Sequence, residues 1–475
     1  MLGTLHNSAH QQLGNLFAAL REHGTGMTTT ANSDRHRAPA TQTDFPHFTF
    51  KNGELHCEDV PASRIAEQFG TSAYVYSKRA LEGNLRALTE AFSPVNPLIC
   101  FSVKCLNNIH VLRLLADQGC GMDIVSGGEL FRALRAGVDP ARIVYAGVGK
   151  MAKEINEALA AGVGWINVES AQELALLAQL SQARAQPVNC ALRINPDMSD
   201  SQTHQKTFTA SADTKFGIDM AELTALAVQY KNHPFVRLRG LHFHLGSPIY
   251  APELYGQAIG KLLGLVETFA EHGVRIDTLD IGGGFCAVYG DEKLPSIESF
   301  AAVALPLLRP FAERGGQIIL EPGRSIAATA GVLLSKVLYT KRCGSRQFAV
   351  LDAGMSHLIR PALYDAFHFI WPTRPCGARL PQNFANEPNG ESLVKYDVVG
   401  PICETGDLFA RDRWLPPVEH GELIAFFSCG AYGMTMASHY NAVGNPVEVL
   451  VDESECRLIR RREQYADLVR QEELS

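Results

Sequence analysis

The segment Phe101-Ser102-Val103-Lys104-Cys105-Leu106-Asn107-Asn108 follows the apolar run Pro97-Leu98-Ile99-Cys100. That run has the length and composition of a short buried strand, and a lysine stands at its far end. Lysines are seldom buried unless they are paired or functional. Lys104 is therefore either a surface charge or an amine able to form a Schiff base with an aldehyde. Taken alone, the surface reading is the stronger. The C-terminal end of a barrel strand is, however, where such folds build their chemistry, so the surrounding pattern decides.

Outward from this segment, short apolar strands alternate with amphipathic helices. Strands are expected at 99–103, 121–125, 143–145, 165–168, 188–194, 236–244, 278–281 and 318–320, with a helix after each of the first seven. A strand at 73–76 and a helix at 78–92 precede them; Leu81, Leu85, Leu88 and Phe92 share one face of that helix. Eight such units point to a closed (β/α)8 TIM barrel, with an open doubly wound sheet as the alternative. Beyond Gly331 helices become scarce. Strands are expected at 332–341, 346–352, 419–427 and 447–451, forming a second, C-terminal β-rich domain of barrel or sandwich type. Phe48 and Phe50 alternate with polar residues ahead of the Asn52-Gly53 turn, so that strand is expected to join the β-rich domain. The division is thus 1–42 as a poorly packing extension, 43–70 contributing partly to the β domain, 71–330 as the barrel and 331–465 as the β domain. A long surface loop is expected at 373–395, where Pro, Gly and Asn are frequent.

The 475 residues are 46% hydrophobic, enough for one large domain and a smaller one. With 43 basic and 50 acidic residues the net charge is −7, which gives no basic surface suited to nucleic acid or an anionic membrane. The 11 cysteines are scattered, without a CxxC pair, and read as free thiols of a reducing compartment. Apolar runs are short and interrupted by charge, and the N-terminus lacks a basic region followed by an apolar core. The chain reads as cytoplasmic.

Most polar motifs fall just after expected strand ends. Ile281-Gly282-Gly283-Gly284-Phe285 could present backbone amides to a phosphate, though a tight structural turn fits as well. Glu321-Pro322-Gly323-Arg324 offers a carboxylate suited to a protonated ring nitrogen and a guanidinium suited to an anion. In Leu241-His242-Phe243-His244-Leu245-Gly246-Ser247 both imidazoles could bind metal, but no matching acidic or sulfur cluster stands out, and no metal is expected. One imidazole stacking on a flat aromatic cofactor is the alternative. Arg360-Pro361-Ala362-Leu363-Tyr364, Cys403-Glu404-Thr405-Gly406-Asp407 and Cys429-Gly430-Ala431-Tyr432 would suit a polar, zwitterionic ligand. A cysteine beside a glutamate could supply a proton.

Together these motifs resemble the diaminopimelate decarboxylases, of the alanine-racemase-like class of pyridoxal-phosphate enzymes, over residues 45–460. Further motifs carry the resemblance: Thr203-His204-Gln205-Lys206, Lys215-Phe216-Gly217-Ile218, Asp352-Ala353-Gly354-Met355 and Val399-Gly400-Pro401-Ile402-Cys403-Glu404. It implies that Lys104 carries pyridoxal 5′-phosphate, with Asp123 beside it and His244 stacked on the ring. Ser247, Gly283 and Gly284 would hold the phosphate, Glu321 the ring nitrogen, and Gly323 would lie in the cofactor loop. Arg324, Arg360, Tyr364 and Glu404 would fix the distal end of an amino-acid substrate, Tyr432 would touch phosphate and substrate, and Cys403 would reprotonate the product carbon. The resemblance also implies a head-to-tail homodimer in which Cys403 and Glu404 come from the other subunit. The implied reaction is decarboxylation of meso-2,6-diaminopimelate to L-lysine and CO2, the last step of lysine biosynthesis. Relatives on this framework act on carboxynorspermidine or siderophore intermediates, and an amino-acid racemase is a more distant alternative. Cys105, Pro248 and Phe285-Cys286-Ala287-Val288 depart from the usual family pattern.

Overall fold

A computed structural model describes residues 45–198, 207, 209–210, 213–290, 294–375 and 393–472. The expected extension at 1–42, the motif at 203–206 and most of the expected loop at 373–395 lie outside the described residues.

Eight parallel strands close into a barrel. They are β5 (Leu98–Ser102), β6 (Gly121–Ile124), β7 (Ile143–Tyr145), β8 (Trp165–Val168), β9 (Val188–Arg193), β10 (Val236–His242), β11 (Thr278–Asp280) and β12 (Gln317–Leu320). They pair in sequence order, and β12 closes onto β5. Three of the helices between them start at side-chain caps: Asn108 accepts from the His110 N–H, Ser126 from that of Glu129, and Ser170 from that of Glu173. Leu81, Leu85, Leu88 and Phe92 are buried on one face of the helix Lys78–Phe92, as their spacing predicts.

Inside the barrel, Leu98, Cys100, Val144, Trp165, Ala191 and Ile319 form a separate apolar plug. A strand returns to the same face every second residue. Two positions onward from Cys100, Trp165 and Ile319 stand Ser102, Asn167 and Glu321. Register places Asp123 opposite Ser102 and Asp280 opposite His242. The inward face thus changes from apolar to polar at the C-terminal mouth, and the plug becomes the floor beneath a charged layer.

Of the strands whose ranges follow, the C-terminal part is a sheet in the order β17-β16-β14-β13-β4-β19-β20, with β18 paired to β13 and β15 paired to β18. Its strands are β4 (Ala73–Ser77), β13 (Gly331–Cys343), β14 (Arg346–Leu351), β15 (Ile370–Pro372), β16 (Val394–Val399), β17 (Leu408–Leu415), β18 (Leu423–Phe426), β19 (Val447–Asp452) and β20 (Glu455–Arg460). β4 lies within the stretch expected to be barrel, yet it pairs antiparallel with β13 and parallel with β19. All five of its residues are buried. Such a run marks a central strand without saying of which sheet. β1 (Phe48–Lys51), β2 (Glu54–Cys57) and β3 (Val60–Pro61) form a sheet of their own rather than joining the second sheet as strands. β2 meets the segment after β15 through two bonds, from the Leu55 N–H to the Thr373 carbonyl at 2.8 Å and from Arg374 NH2 to Glu54 Oε2 at 2.7 Å. β16, β17 and β20 escape the sequence reading because charged residues interrupt their apolar pattern.

Candidate active site

Lys104 lies just beyond β5, where the chain turns over the barrel mouth. Its Nζ donates to Asp123 Oδ2 at 2.7 Å, and Ser102 Oγ donates to the same oxygen at 2.7 Å. The Lys104 side chain is 34% exposed, and it lines a cavity of about 740 Å³. Burial disfavours the ammonium, but the charges of Asp123 and Glu321, and the hydrogen bond to Asp123, outweigh it and raise the pKa. The amine is thus held as a cation, with a carboxylate placed to accept its proton.

Gly282, Gly283 and Gly284 follow β11 and pass under the neighbouring strand ends. A Cβ on Gly283 would lie 2.0 Å from the Glu321 carbonyl oxygen, and one on Gly284 would lie 2.3 Å from that of Gly246. Gly284 also has φ +100°. The triple glycine is therefore required where the backbone approaches its neighbours. The Gly283 N–H donates to His244 Nδ1 at 3.3 Å. Burial and the Lys104 cation push the His244 pKa well below its ordinary value. A neutral imidazole presenting an aromatic face follows.

Gly323 lets the Glu321–Arg324 loop close on the lysine loop, since a Cβ there would meet Cys105 Cβ and Ser102 Cβ at 3.0 Å each. Arg324 Nε donates to Ser247 Oγ at 3.0 Å and its NH1 donates to the Tyr289 hydroxyl at 2.9 Å. Its guanidinium lies 4.9 Å over the Tyr432 ring. Arg360 NH1 lies 2.9 Å from His368 Nε2. Burial and Arg360 lower the His368 pKa to about 3, so a neutral nitrogen accepts from the guanidinium. The Arg360 guanidinium also stacks 4.6 Å over Tyr289. The Tyr432 N–H donates to the Cys105 carbonyl at 2.9 Å, tying this tyrosine to the lysine loop, and Tyr432 has φ +56°. Burial pushes its hydroxyl up to about 12.

The cavity thus brings together Lys104, His244, Ser247, Arg324, Arg360, Tyr364 and Tyr432. Asp123 and Glu321 lie beneath, in the polar layer. Cys403 and Glu404 do not line the cavity; Cys403 is exposed, and its thiol meets the Asn441 amide at 3.1 Å. The Tyr440 hydroxyl bonds to Glu404.

Some residues of the site were missed in the sequence. Tyr289 bridges Arg324 and Arg360, and His368 backs Arg360; nothing in their local pattern marks them. The absence of acidic partners for the histidines is corrected by the structure: His242 lies beside Asp280 and Glu321, with donor atoms within 4.8 Å of one another. The signal was the period of two, which puts Asp280 on the inner face just before the triple glycine.

The residues fit pyridoxal phosphate: an amine at a strand end, a glycine cradle beside Ser247 and Arg324, a neutral imidazole, and a buried carboxylate. Residues 78–328 match the pyridoxal binding domain of the pyridoxal-dependent decarboxylases. The diaminopimelate decarboxylase of Pseudomonas aeruginosa is 42% identical over 427 residues, covering 90% of this chain and 99% of the relative. That of Aquifex aeolicus is 40% identical over 425 residues, covering 89% and 97%. Among solved structures, the diaminopimelate decarboxylase of Helicobacter pylori in complex with L-lysine superposes with a TM-score of 0.79 at 34% identity, covering 86% of this chain and 98% of that one. The diaminopimelate decarboxylase of M. jannaschii, also with L-lysine, gives a TM-score of 0.83 at 32% identity, covering 91% and 99%.

Proposed function

The chain belongs to the pyridoxal-dependent decarboxylase family and, within it, to the diaminopimelate decarboxylases, and from that membership we infer that it removes CO2 from meso-2,6-diaminopimelate to leave L-lysine, using pyridoxal 5′-phosphate. One C–C bond breaks to release CO2, and a proton takes the carboxylate's place on the same carbon. The observation that carries this reading is Lys104 facing a cavity that also holds the Arg324 and Arg360 guanidinium groups. An amine partner and two anion-binding groups in one pocket match a phosphate-bearing aldehyde and an amino acid with a charged distal end.

The residue roles follow as part of the proposal. Lys104 Nζ would hold the cofactor, and Asp123 accepts the proton that the ammonium must lose before the amine can act as a nucleophile. The Gly284 amide, with Ser247 and Tyr432, would hold the phosphate, the Gly283 amide would join them by exchanging its bond to His244 Nδ1, and Gly323 lets Arg324 approach. His244 would pack on the ring face, and Glu321 would accept the hydrogen bond of the ring nitrogen. When bound, the cofactor supplies the electron sink for the carbon that loses CO2. Arg360, Tyr364 and Glu404 hold the distal amino-acid group, which excludes substrates that lack it. Cys403 delivers the proton that completes the product.

Cys403 is exposed and outside the cavity of its own chain, which favours a head-to-tail homodimer in which Cys403 and Glu404 complete the neighbouring site. Among the described residues no helix is long and apolar enough to cross a membrane, and the partner in this reading is a small amino acid. The test is CO2 release from meso-diaminopimelate, carboxynorspermidine, L-lysine and L-ornithine by the purified protein with added cofactor. Turnover confined to meso-diaminopimelate is the expected result. Turnover of another compound and none of meso-diaminopimelate would overturn the assignment.

A further inference from the structure

Beneath the cavity lies a group of buried polar side chains to which the reaction above assigns only one member. His242, Asp280 and Asn167 are each 1% exposed, and Glu321 is 3% exposed. They come from the ends of β10, β11, β8 and β12, on the inward face directly above the apolar plug. His242 Nε2 lies 3.3 Å from Glu321 Oε2, an ion-pair distance, and neither ring nitrogen of His242 makes a hydrogen bond among the described residues. Asn167 Nδ2 donates to Asp280 Oδ2 at 3.0 Å and reaches Glu321 Oε1 at 3.4 Å. Asp280 Oδ1 accepts from the Gly282 N–H at 3.0 Å, which ties the acid to the glycine cradle. Asp280, Glu321 and His242 each bring a nitrogen or carboxylate oxygen within 4.8 Å of those of the other two.

Two carboxyl groups this close inside a dry interior share a proton, because ionising both is too costly. We propose that His242, Asp280 and Asn167 are positioning residues that hold Glu321 as the anion, with the shared proton resident on Asp280. Glu321 then faces the ring nitrogen as a fixed acceptor, and the ring keeps its proton whatever the solvent pH nearby. The inference rests on the assignment of Glu321 to the ring nitrogen. Burial and Glu321 push the Asp280 pKa well above its ordinary value. Burial opposes ionisation of Glu321 too, but His242, Lys104 and Asp280 outweigh it and draw its pKa down. Asp123, His244, Cys100 and Tyr255 are the other titratable groups that interact with Glu321.

A carboxylic acid that serves as a donor is well mimicked by an amide, and a carboxylate is not. D280N should therefore keep the arrangement, whereas D280A and H242A should lose it. Holoenzyme reconstituted with pyridoxal phosphate labelled with nitrogen-15 in the ring gives the direct reading, by the chemical shift of that nitrogen. We expect a pyridinium signal in the parent and in D280N, and a shift toward the neutral ring in H242A, D280A and E321Q. Turnover should follow: D280N within about threefold of the parent, H242A and D280A down at least about tenfold in kcat with KM little changed, as for a group that acts in the transition state only. If D280A does not accumulate as folded protein, H242Q takes its place beside D280N with the same expectation. A neutral ring in the parent, or an unchanged one in E321Q, would overturn the Glu321 assignment itself. A parent pyridinium that E321Q alters but H242A and D280A leave intact would overturn this inference alone. So would D280N losing as much activity as D280A, or a metal ion bound in equal proportion to the chain and lost in H242A.

Discussion

Replacing Gly283 by alanine adds one methyl group at the point where the cradle meets the strand after it. The new Cβ would lie 2.0 Å from the Glu321 carbonyl oxygen, 2.8 Å from its carbon and 3.4 Å from Pro322 N. Ordinary contact is about 3.5 Å, so the two backbones must separate by about 1.5 Å. Both are held: the Glu321 N–H donates to the Gly282 carbonyl at 2.8 Å, and the Ser102 N–H donates to the Pro322 carbonyl at 3.0 Å. Neither neighbour is the end of a flexible side chain, so the clash is not relieved by a rotamer change. Overpacking of this kind costs about 1–3 kcal/mol, and each backbone bond lost adds about 1 kcal/mol. The expected loss of stability is about 4 kcal/mol, with a drop in Tm of about 5–10 °C. The movement also displaces Glu321, so cofactor affinity should fall by at least about tenfold, a loss of about 1.4 kcal/mol. Gly260 is the control: it lies inside the helix Pro252–Glu271 with no atom within 4 Å of a new Cβ. G260A should gain about 0.5–1 kcal/mol from helix propensity. Denaturant unfolding of the cofactor-free chains and a spectroscopic cofactor titration measure both quantities. A G283A chain that unfolds with the parent and binds the cofactor as tightly would refute the steric argument.

Other expectations test separate features. Glu448 is buried and accepts from Tyr76 Oη and Asn108 Nδ2, each at 2.8 Å, and from Arg460 Nε. E448A strands these donors and should cost about 3–5 kcal/mol by denaturant unfolding, with E448Q losing markedly less. Burial raises the Glu129 pKa to about 7, above its unfolded value. The folded state then holds the extra proton, so this group's contribution is fully present below the unfolded pKa and is lost as pH rises toward 7. E129Q should flatten that part of the stability profile by up to about 3 kcal/mol; an unchanged profile would show that Glu129 ionises normally. If sites are shared between subunits, K104A and C403A should each be inactive alone, and mixing and refolding them should restore up to about a quarter of parental activity. No recovery on mixing would place Cys403 in the site of its own chain.

Much of this molecule is written locally. The alternation of short apolar runs with helical spacing specifies eight strand–helix units, and Ser126, Asn108 and Ser170 mark helix starts through side chains that reach only two or three residues ahead. The lysine after β5, the triple glycine after β11 and the Glu-Pro-Gly-Arg run after β12 were legible because each ends a strand. Tertiary structure decided the rest. Barrel closure brings Lys104 and His244 to one cavity with Glu321 beneath it, and a loop of the second sheet adds Tyr432, held to the Cys105 carbonyl. β4 precedes the barrel in sequence but is buried in the other sheet, since a strand apolar on both faces fits the centre of either. His242 looked isolated in the chain, and its acidic neighbours come from strands β11 and β12. Periodicity tells which way a side chain points, but the identity of the group it meets depends on strand order and register, which are settled only when distant segments pack.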